Sequence, residues 1–346
     1  MRCLKPRTVG FKDDGKTIAW SQKHYSKEFS TFQLPCSKCL ECRLEYARQW
    51  AVRCTHEAKM YENNSFITLT YSDENLKSPK LQYRDFQEFI AKLRDKIFRD
   101  KLNQMYPNDP QETQRIKFKQ LTKDTRKQIH ESIRIGYFVT GEYGEQRKRP
   151  HWHVLIFNWK PSDLTHKYTN DRGDRVSNST TLDTLWGHGI TEIGSVTFHS
   201  AGYCARYAAK KLVHGNDGHA YEPISKKSSK QAIGKKFLEK YWKDIFNYGH
   251  VILMTSDGEV KTTIPRYYEK WLAKHQPEAY IDYITNLKQQ RMEKGEQKEQ
   301  AQQKEYWQTM DQRAPLKTPL ITKSERRSAI LKQKFKQLQS YLKGDI

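Results

Sequence analysis

This sequence has no long hydrophobic run. None of its 346 residues lies in an apolar stretch of about eighteen residues, and the basic start, Met-Arg-Cys-Leu-Lys-Pro-Arg, leads into no apolar segment that would direct export. We therefore expect a protein that is neither exported nor held in a membrane. Six cysteines are too few for a disulfide framework in a chain of this length, which fits a reducing compartment.

The sequence also lacks internal repeats and the Gly-x-x-x-x-Gly-Lys-Ser/Thr phosphate loop, which argues against an ATP-driven helicase. Positive charge, by contrast, is in excess: 62 Lys and Arg against 40 Asp and Glu give a formal charge of +22. Such a charge indicates a polyanionic partner, with nucleic acid first. Aromatic residues make up 12% of the chain, and rings interleaved with bases suit unpaired nucleobases, although many rings will fill the core.

Two histidines, His151 and His153, precede the apolar residues 154–157. This composition predicts a strand, in which residues i and i+2 face the same side. Both imidazoles would then reach one metal ion. Because histidines at this spacing also occur in strands that bind nothing, the spacing alone leaves both interpretations open.

A second cluster, at residues 203–211, contains no Gly or Pro and is predicted to be helical. Tyr203 and Tyr207 are four residues apart and share a helix face, and each is followed three residues later by a base, Arg206 and Lys210. A phenol is a poor nucleophile at neutral pH, and a nearby cation favours its ionised form. The alternative is that the two rings pack against a sheet.

Three motifs, in this order, resemble those of the HUH endonuclease superfamily, and more closely those of the rolling-circle replication initiators of gokushovirus-type microviruses. They are residues 66–71 (Phe-Ile-Thr-Leu-Thr-Tyr), His151-Trp-His153 and the two-tyrosine segment 203–211. Shorter matches at residues 140–143 (Thr-Gly-Glu-Tyr), 185–189 (Leu-Trp-Gly-His-Gly) and 232–241 extend the resemblance, which spans residues 35–272.

The resemblance implies a fold and a metal site. The fold is α+β: an antiparallel sheet with helices on its face, a ferredoxin-like or RNA-recognition-like palm, and a helical C-terminal tail. The metal is a divalent ion, Mg²⁺ or Mn²⁺, bound by His151, His153 and an acidic residue before them. Glu142 is our choice for that third ligand, ahead of Glu145.

The resemblance also implies a reaction. Tyr203 or Tyr207 would nick origin DNA, form a 5′-phosphotyrosine, leave a 3′ hydroxyl as primer, and later rejoin the circle. Lys210 is the base for which a catalytic role is favoured, whereas Arg206 and Lys211 are expected to contact phosphates. The implied partners are single-stranded DNA, origin-containing double-stranded DNA, and the host helicase and polymerase, in the cytoplasm of a bacterial host.

Two other functions remain open at this point. A related HUH relaxase or transposase would share the chemistry and differ in its partners. A noncatalytic basic protein that binds or packages DNA would need neither the tyrosines nor the histidines.

The cysteine pattern raises a separate question of structural zinc. Cys36, Cys39 and Cys42 form Cys-x-x-Cys-x-x-Cys, and Cys54 follows downstream. The run enters a predicted helix, where cysteine can serve as a small buried residue. That second interpretation is favoured over zinc.

Periodicity and turn residues divide the chain into elements. Strands are predicted at residues 66–71, 133–140, 152–157 and 191–197, and helices at 40–61, 83–98, 182–186 and 203–211. Residues 101–131 are predicted as an insertion with some helix, and residues 160–181 and 215–230 as loops. The predicted domains are an N-terminal segment (1–62), a nuclease core (63–214), an accessory unit (215–286) and a polar helical tail (287–346).

Overall fold

The computed structural model describes residues 3, 5–144, 147–170, 173–210, 221–255, 258–313, 329, 330, 332 and 333. The contacts between Cα atoms divide the chain into two compact units. One unit comprises residues 1–46, 242–252 and 261–346, and the other comprises residues 47–241 and 253–260. The predicted four-part domain division stays a prediction.

Strands and helices alternate irregularly along the chain. The strands are β1 (Arg7–Phe11), β2 (Ile18–Ala19), β3 (Phe32–Leu34), β4 (Asn64–Thr70), β5 (Gly136–Tyr143), β6 (Pro150–Phe157), β7 (Thr165–Thr169), β8 (Arg175–Asn178), β9 (Thr191–Gly194), β10 (Ile224–Lys227), β11 (Val251–Thr255) and β12 (Gly258–Thr262). The helices are α1 (Leu40–Ala58), α2 (Tyr83–Met105), α3 (Gln111–Gln120), α4 (Lys123–Ser132), α5 (Thr180–Trp186), α6 (Phe198–Lys210), α7 (Lys235–Tyr248), α8 (Arg266–His275), α9 (Pro277–Asp282) and α10 (Gln289–Arg313).

The main sheet has seven strands in the order β10-β5-β6-β4-β9-β8-β7, and its neighbouring strands are antiparallel where their register is defined. Every residue of the central strand β6 is buried, so both faces of the sheet are covered there. The predicted α+β fold, an antiparallel sheet with helices and a helical C-terminal region, is confirmed.

One face of the sheet carries the largest apolar cluster. Alternate residues of β4, β5 and β6 point to this face, where they meet α2 and α5. Its fully buried members include Ile67, Leu69, Val139, Trp152, Val154, Ile156, Phe86, Leu93 and Leu182. This packing fixes the register, because a one-residue slip would turn every side chain to the other face.

The opposite face is covered by α1 and α6. Trp50 of α1 packs on Phe138 of β5, with ring centroids 5.2 Å apart. Helix α6 follows a reciprocal cap, in which the Ser200 hydroxyl accepts from the Thr197 amide and the Thr197 hydroxyl accepts from the Ser200 amide. Its buried residues are small, which lets the helix lie close to the sheet: they are Ala201, Gly202, Cys204 and Ala205.

Two strands lie where loops were predicted. The polar residues 160–181 contain β7 and β8, an antiparallel pair at one end of the sheet. Residues 215–230 contain β10, which pairs with β5 at the other end. Both predictions of loops were wrong, because edge strands with solvent-facing residues lack the apolar alternation that identifies a strand. The insertion after α2 is helical, as α3 and α4.

The first unit contains a small sheet in the order β2-β1-β3 and the exposed polar helix α10. Among the described helices, none combines the length and apolarity needed to cross a bilayer.

Candidate active site

Three predicted metal ligands meet on the α6-covered face of the sheet. In the antiparallel register, Glu142 of β5 lies opposite His151 of β6, and His153 is two residues further along β6. The Oε1 atom of Glu142 is 3.0 Å from Nε2 of His151 and 3.0 Å from Nε2 of His153. All three residues are buried. The prediction that these residues converge is confirmed, and they could hold a metal ion.

Each imidazole is held from its other nitrogen. Nδ1 of His153 lies 3.2 Å from the Thr68 hydroxyl, and Nδ1 of His151 lies 3.3 Å from the carbonyl oxygen of Arg149. Because a carbonyl only accepts, it favours the proton on Nδ1 of His151 and leaves a lone pair on Nε2. Such contacts set the tautomer and orientation of a metal-binding histidine.

The charge of Glu142 is maintained despite its burial. Burial raises the pKa of the Glu142 carboxyl, but the hydrogen bonds with His151 and His153 and their charge outweigh it and lower the pKa to about 2. The carboxylate is therefore ionised at neutral pH. It supplies the negative charge that a divalent cation beside two imidazoles needs.

The spacing of the donors fits a small divalent ion. Two donors in adjacent octahedral positions, each about 2.1 Å from Mg²⁺, are separated by about 3.0 Å. Glu142 Oε1 has that separation from Nε2 of both His151 and His153. A carboxylate oxygen and an imidazole lone pair repel each other unless a cation or a proton lies between them. The donor set therefore fits a bound divalent metal.

Tyr203 lies beside this cluster. Its phenolic oxygen is 3.3 Å from Nε2 of His153, and the two rings meet edge to face with centroids 4.8 Å apart. Phe66 of β4 packs near both rings, at 6.0 Å from His153 and 6.1 Å from Tyr203. The structure thus brings one predicted nucleophile to the predicted metal ligands.

The other predicted site residues are described less completely. Tyr207 and Lys210 lie in α6, but their side chains are outside the described part of the chain. Lys211 and Glu145 lie outside the described residues. Arg206 lies next to Gly202 on its own helix, with Nη1 3.4 Å from where a Cβ would be.

Sequence reasoning missed the residues that support the ligands. Thr68, Phe66 and Arg149 were given no role, although Phe66 and Thr68 belong to the first quoted motif. Their alternation along β4 was a usable signal, because residues 66, 68 and 70 share the face of their cross-strand partners Leu155, His153 and His151.

A turn after α5 secures the end of β4 near the site. The Trp186 indole donates to the carbonyl oxygen of Thr70 at 2.7 Å, and the Ser72 amide donates to the carbonyl of His188 at 2.9 Å. Gly189 has φ +159°, and a Cβ there would lie 2.6 Å from the Ser72 nitrogen. The quoted Trp-Gly-His-Gly segment therefore positions the neighbour of His151 in the sheet.

The cysteines group differently from the prediction. The sulfur atoms of Cys3, Cys36, Cys39 and Cys42 all lie within 4.8 Å of one another. Cys54 is fully buried in α1 and is not part of this group, so its assignment to a four-cysteine site was wrong. Cys3 was missed because its distance in sequence gave no spacing signal.

A catalytic centre of this composition, on an antiparallel sheet, is the type expected from the resemblance, and comparisons with known proteins agree. The family model for replication-associated protein ORF2 matches residues 105–212, which contain the histidines and most of the tyrosine segment. No solved structure matches the chain significantly.

Curated relatives come from three phages. The chain is 42% identical to replication-associated protein VP4 of Bdellovibrio phage phiMH2K, over 99% of this chain and all of that protein. It is 30% identical to replication-associated protein ORF2 of Spiroplasma virus 4, over 82% of this chain and 84% of that protein. With replication-associated protein ORF4 of Chlamydia phage 1 it shares 29%, over 72% of this chain and 56% of that protein. The chain belongs to the family of phage replication-associated proteins, and its role is in rolling-circle DNA replication, as the motifs predicted.

Proposed function

We propose that this protein starts rolling-circle replication as a metal-dependent nickase that cuts one DNA strand through Tyr203. One observation carries the proposal: a phenolic oxygen lies 3.3 Å from a histidine nitrogen that is itself 3.0 Å from a buried carboxylate. A nucleophile and a metal-binding donor set at this separation can meet on one phosphate group.

The proposed reaction is a phosphoryl transfer. The Tyr203 oxygen loses its proton and forms a bond to the phosphorus of the scissile phosphodiester. The bond from phosphorus to the 3′ oxygen breaks, and that oxygen takes up a proton and becomes the 3′ hydroxyl primer. The 5′-phosphotyrosine keeps the energy of the phosphodiester, so later joining needs no ATP. The absence of a phosphate loop from the sequence agrees with this chemistry.

The residues of the cluster have separate tasks. Glu142, His151 and His153 would hold Mg²⁺ or Mn²⁺, which when bound would act as a Lewis acid towards the phosphate oxygens. Thr68 and the Arg149 carbonyl keep the two imidazoles in position. Phe66 limits the movement of the Tyr203 ring.

The remaining bases and the second tyrosine act later in the proposal. Tyr207 follows Tyr203 by one helical turn and would cut the regenerated origin while the first phosphotyrosine is attacked by the released 3′ hydroxyl. Lys210 would stabilise negative charge on the phosphate during transfer, and Arg206 and Lys211 would contact the DNA backbone.

The formal charge of +22 supports binding to single-stranded DNA and to the duplex origin, with affinity that falls steeply with salt. The 3′ hydroxyl would be extended by the host polymerase behind a host helicase, in the bacterial cytoplasm.

The proposal is tested by the covalent adduct. The full chain is incubated with single-stranded DNA of its phage and Mn²⁺, and protein–DNA adducts are separated on denaturing gels. The variants are Tyr203→Phe, Tyr207→Phe, the double variant and His151→Ala. We expect the adduct in wild type, its loss without metal, in His151→Ala and in the double variant, and a greater reduction in Tyr203→Phe than in Tyr207→Phe.

Tyr248→Phe is the matched control, because this tyrosine is 65% exposed and belongs to the other unit. Its adduct yield should equal that of wild type. If no variant and no metal condition yields an adduct while salt-sensitive DNA binding persists, the protein is a noncatalytic DNA-binding protein. If the adduct forms but is independent of the origin sequence, a relaxase- or transposase-like role gains support.

A further inference from the structure

The four cysteines Cys3, Cys36, Cys39 and Cys42 come from three separate parts of the first unit. Cys3 precedes β1, Cys36 follows β3, and Cys39 and Cys42 flank the start of α1. We propose that these four residues bind one structural zinc ion that fastens the small β1–β3 sheet to the first turn of α1. This site is distinct from the histidine cluster, and the proposal does not depend on the nuclease function.

The distances between the sulfur atoms support tetrahedral coordination. With Zn–S bonds of about 2.3 Å, the sulfurs of a tetrahedral site lie about 3.8 Å apart. Cys3 Sγ is 3.8 Å from Cys39 Sγ, and Cys36 Sγ is 4.0 Å from Cys42 Sγ. All four sulfurs lie within 4.8 Å of one another, and none is in a disulfide. Two disulfides would require the sulfurs to approach in pairs, whereas one ion requires the common separation seen here.

Backbone amides point at the sulfur atoms, as metal-bound thiolates require. The Cys36 amide nitrogen is 3.3 Å from Cys3 Sγ, and the Cys39 amide nitrogen is 3.3 Å from Cys36 Sγ. Between them, Ser37 has φ +62°, an uncommon conformation for a residue other than glycine. The chain therefore adopts a strained turn in which an amide faces a sulfur atom. Hydrogen bonds to thiolate sulfur stabilise its negative charge.

The helix start adds a favourable field. The Arg43 amide donates to the Cys39 carbonyl at 3.1 Å, which makes Cys39 the residue at which α1 begins. Cys42 lies in the first turn, where free amide groups and the helix dipole favour negative charge. Four thiolates around Zn²⁺ carry a net charge of −2, and the neighbouring Lys38 and Arg43 carry the opposite charge.

The small sheet also needs a fastening. Between residues 5 and 39, the apolar side chains of the described residues that are buried are Val9 and Ala19. Units below about 40 residues seldom fold on an apolar core of their own and use disulfides or metals instead. A zinc ion would hold the sheet to α1 where apolar packing is insufficient.

The first test is metal content and the visible spectrum of cobalt. The full chain is purified with a phosphine reductant and no chelator, and its zinc is counted by mass spectrometry and then exchanged for Co²⁺. We expect about one zinc ion per chain and the charge-transfer bands of a tetrahedral cobalt–thiolate site. Because the histidine cluster can also bind Zn²⁺, His151→Ala/His153→Ala is included, and it should keep both signals.

The variant Cys36→Ser/Cys39→Ser should lose the zinc ion and the thiolate bands. The matched control is Cys54→Ala, which removes a buried cysteine outside the group and should keep both. If the double cysteine variant does not fold, wild type decides alone, through the cobalt bands and the protection of four thiols from Ellman's reagent until zinc is removed. A wild-type chain without thiolate bands, whose four thiols react at the rate seen in denaturant or are found as disulfides, would overturn the proposal.

Discussion

Glu142 lies directly opposite His151 across two paired strands, and one oxygen of its carboxylate contacts both histidines of the His-x-His pair. This relationship depends on the register of β5 and β6. A shift of one residue would place Gly141 opposite His151 and turn Glu142 to the face packed by α2. The apolar packing of Trp152 and Val139 on that other face therefore decides whether a metal site can form.

Thr68→Val should weaken metal binding without changing the fold. The substitution keeps the shape of the side chain and removes the hydroxyl beside Nδ1 of His153. Loss of such an orienting contact typically lowers metal affinity by about 10- to 100-fold. The measurement is a Mn²⁺ titration of adduct formation. Thr70→Val is the control, since its hydroxyl donates to the Ile190 carbonyl instead; equal shifts in both variants would contradict the assigned role of Thr68.

Glu142→Gln should have a larger effect on metal dependence than Thr68→Val. Glutamine keeps the size of the side chain but removes the charge that would bind a cation. The control is Glu192→Gln on β9, opposite Thr68, whose carboxylate pairs with Lys167 at 2.8 Å. The metal concentration for half-maximal adduct formation should rise in Glu142→Gln and stay unchanged in Glu192→Gln. An unchanged requirement in Glu142→Gln would remove it from the ligand set.

Gly141→Ala should destabilise the second unit. A Cβ at this position would lie 2.6 Å from the Trp152 ring and 2.9 Å from Leu81. Overpacking of this kind costs about 1–3 kcal/mol in the free energy of unfolding. Gly136→Ala on the same strand is the control, because its Cβ would make contacts of 3.4 Å or longer. Urea denaturation followed by tryptophan fluorescence measures both; similar midpoints would indicate that Trp152 gives way easily.

His56 should make the fold sensitive to acid. Burial, with a smaller contribution from Lys59, lowers the pKa of His56 to about 3 from its ordinary 6.5, and its ring stacks on Phe237 at 3.9 Å. The unfolded chain binds this proton first as the pH falls, so stability is present above pH 6.5 and decreases below it by about 1.4 kcal/mol per pH unit.

His56→Phe should therefore reduce this loss between pH 6.5 and pH 4, which urea midpoints at several pH values would measure. The control is His166→Phe, which changes an exposed histidine of β7. Parallel pH profiles for wild type and His56→Phe would mean that the imidazole is not kept neutral in the fold.

The sequence predicted the centre of the sheet and the site better than its edges. Strands β4, β5 and β6 have apolar alternation or continuous apolar runs, and their period of two places His151 and His153 on one face. The edge strands β7, β8 and β10 are polar, because solvent covers much of them, and no periodicity marks them. Which residue of the loop before His151 returns to the histidines was predictable only from the family resemblance.

Contacts across long distances in sequence were beyond prediction. Cys3 reaches Cys39 because β1 and β3 pair side by side, and that pairing was not predicted. Cys54 was assigned to the cysteine group on spacing alone, although in α1 it faces the core. A local pattern can propose ligands of the right chemical type, but it cannot select which chain segments meet.

The small residues on the buried side of α6 have a consequence for the order of events on DNA. Ala201, Gly202, Cys204 and Ala205 leave this helix close against the sheet, so it has little freedom to slide or rotate. Four residues of helix separate Tyr203 from Tyr207 by about 6 Å along its axis. In the proposed two-cut reaction the protein would then stay fixed, and the nucleic acid would be the part that advances between the two tyrosines.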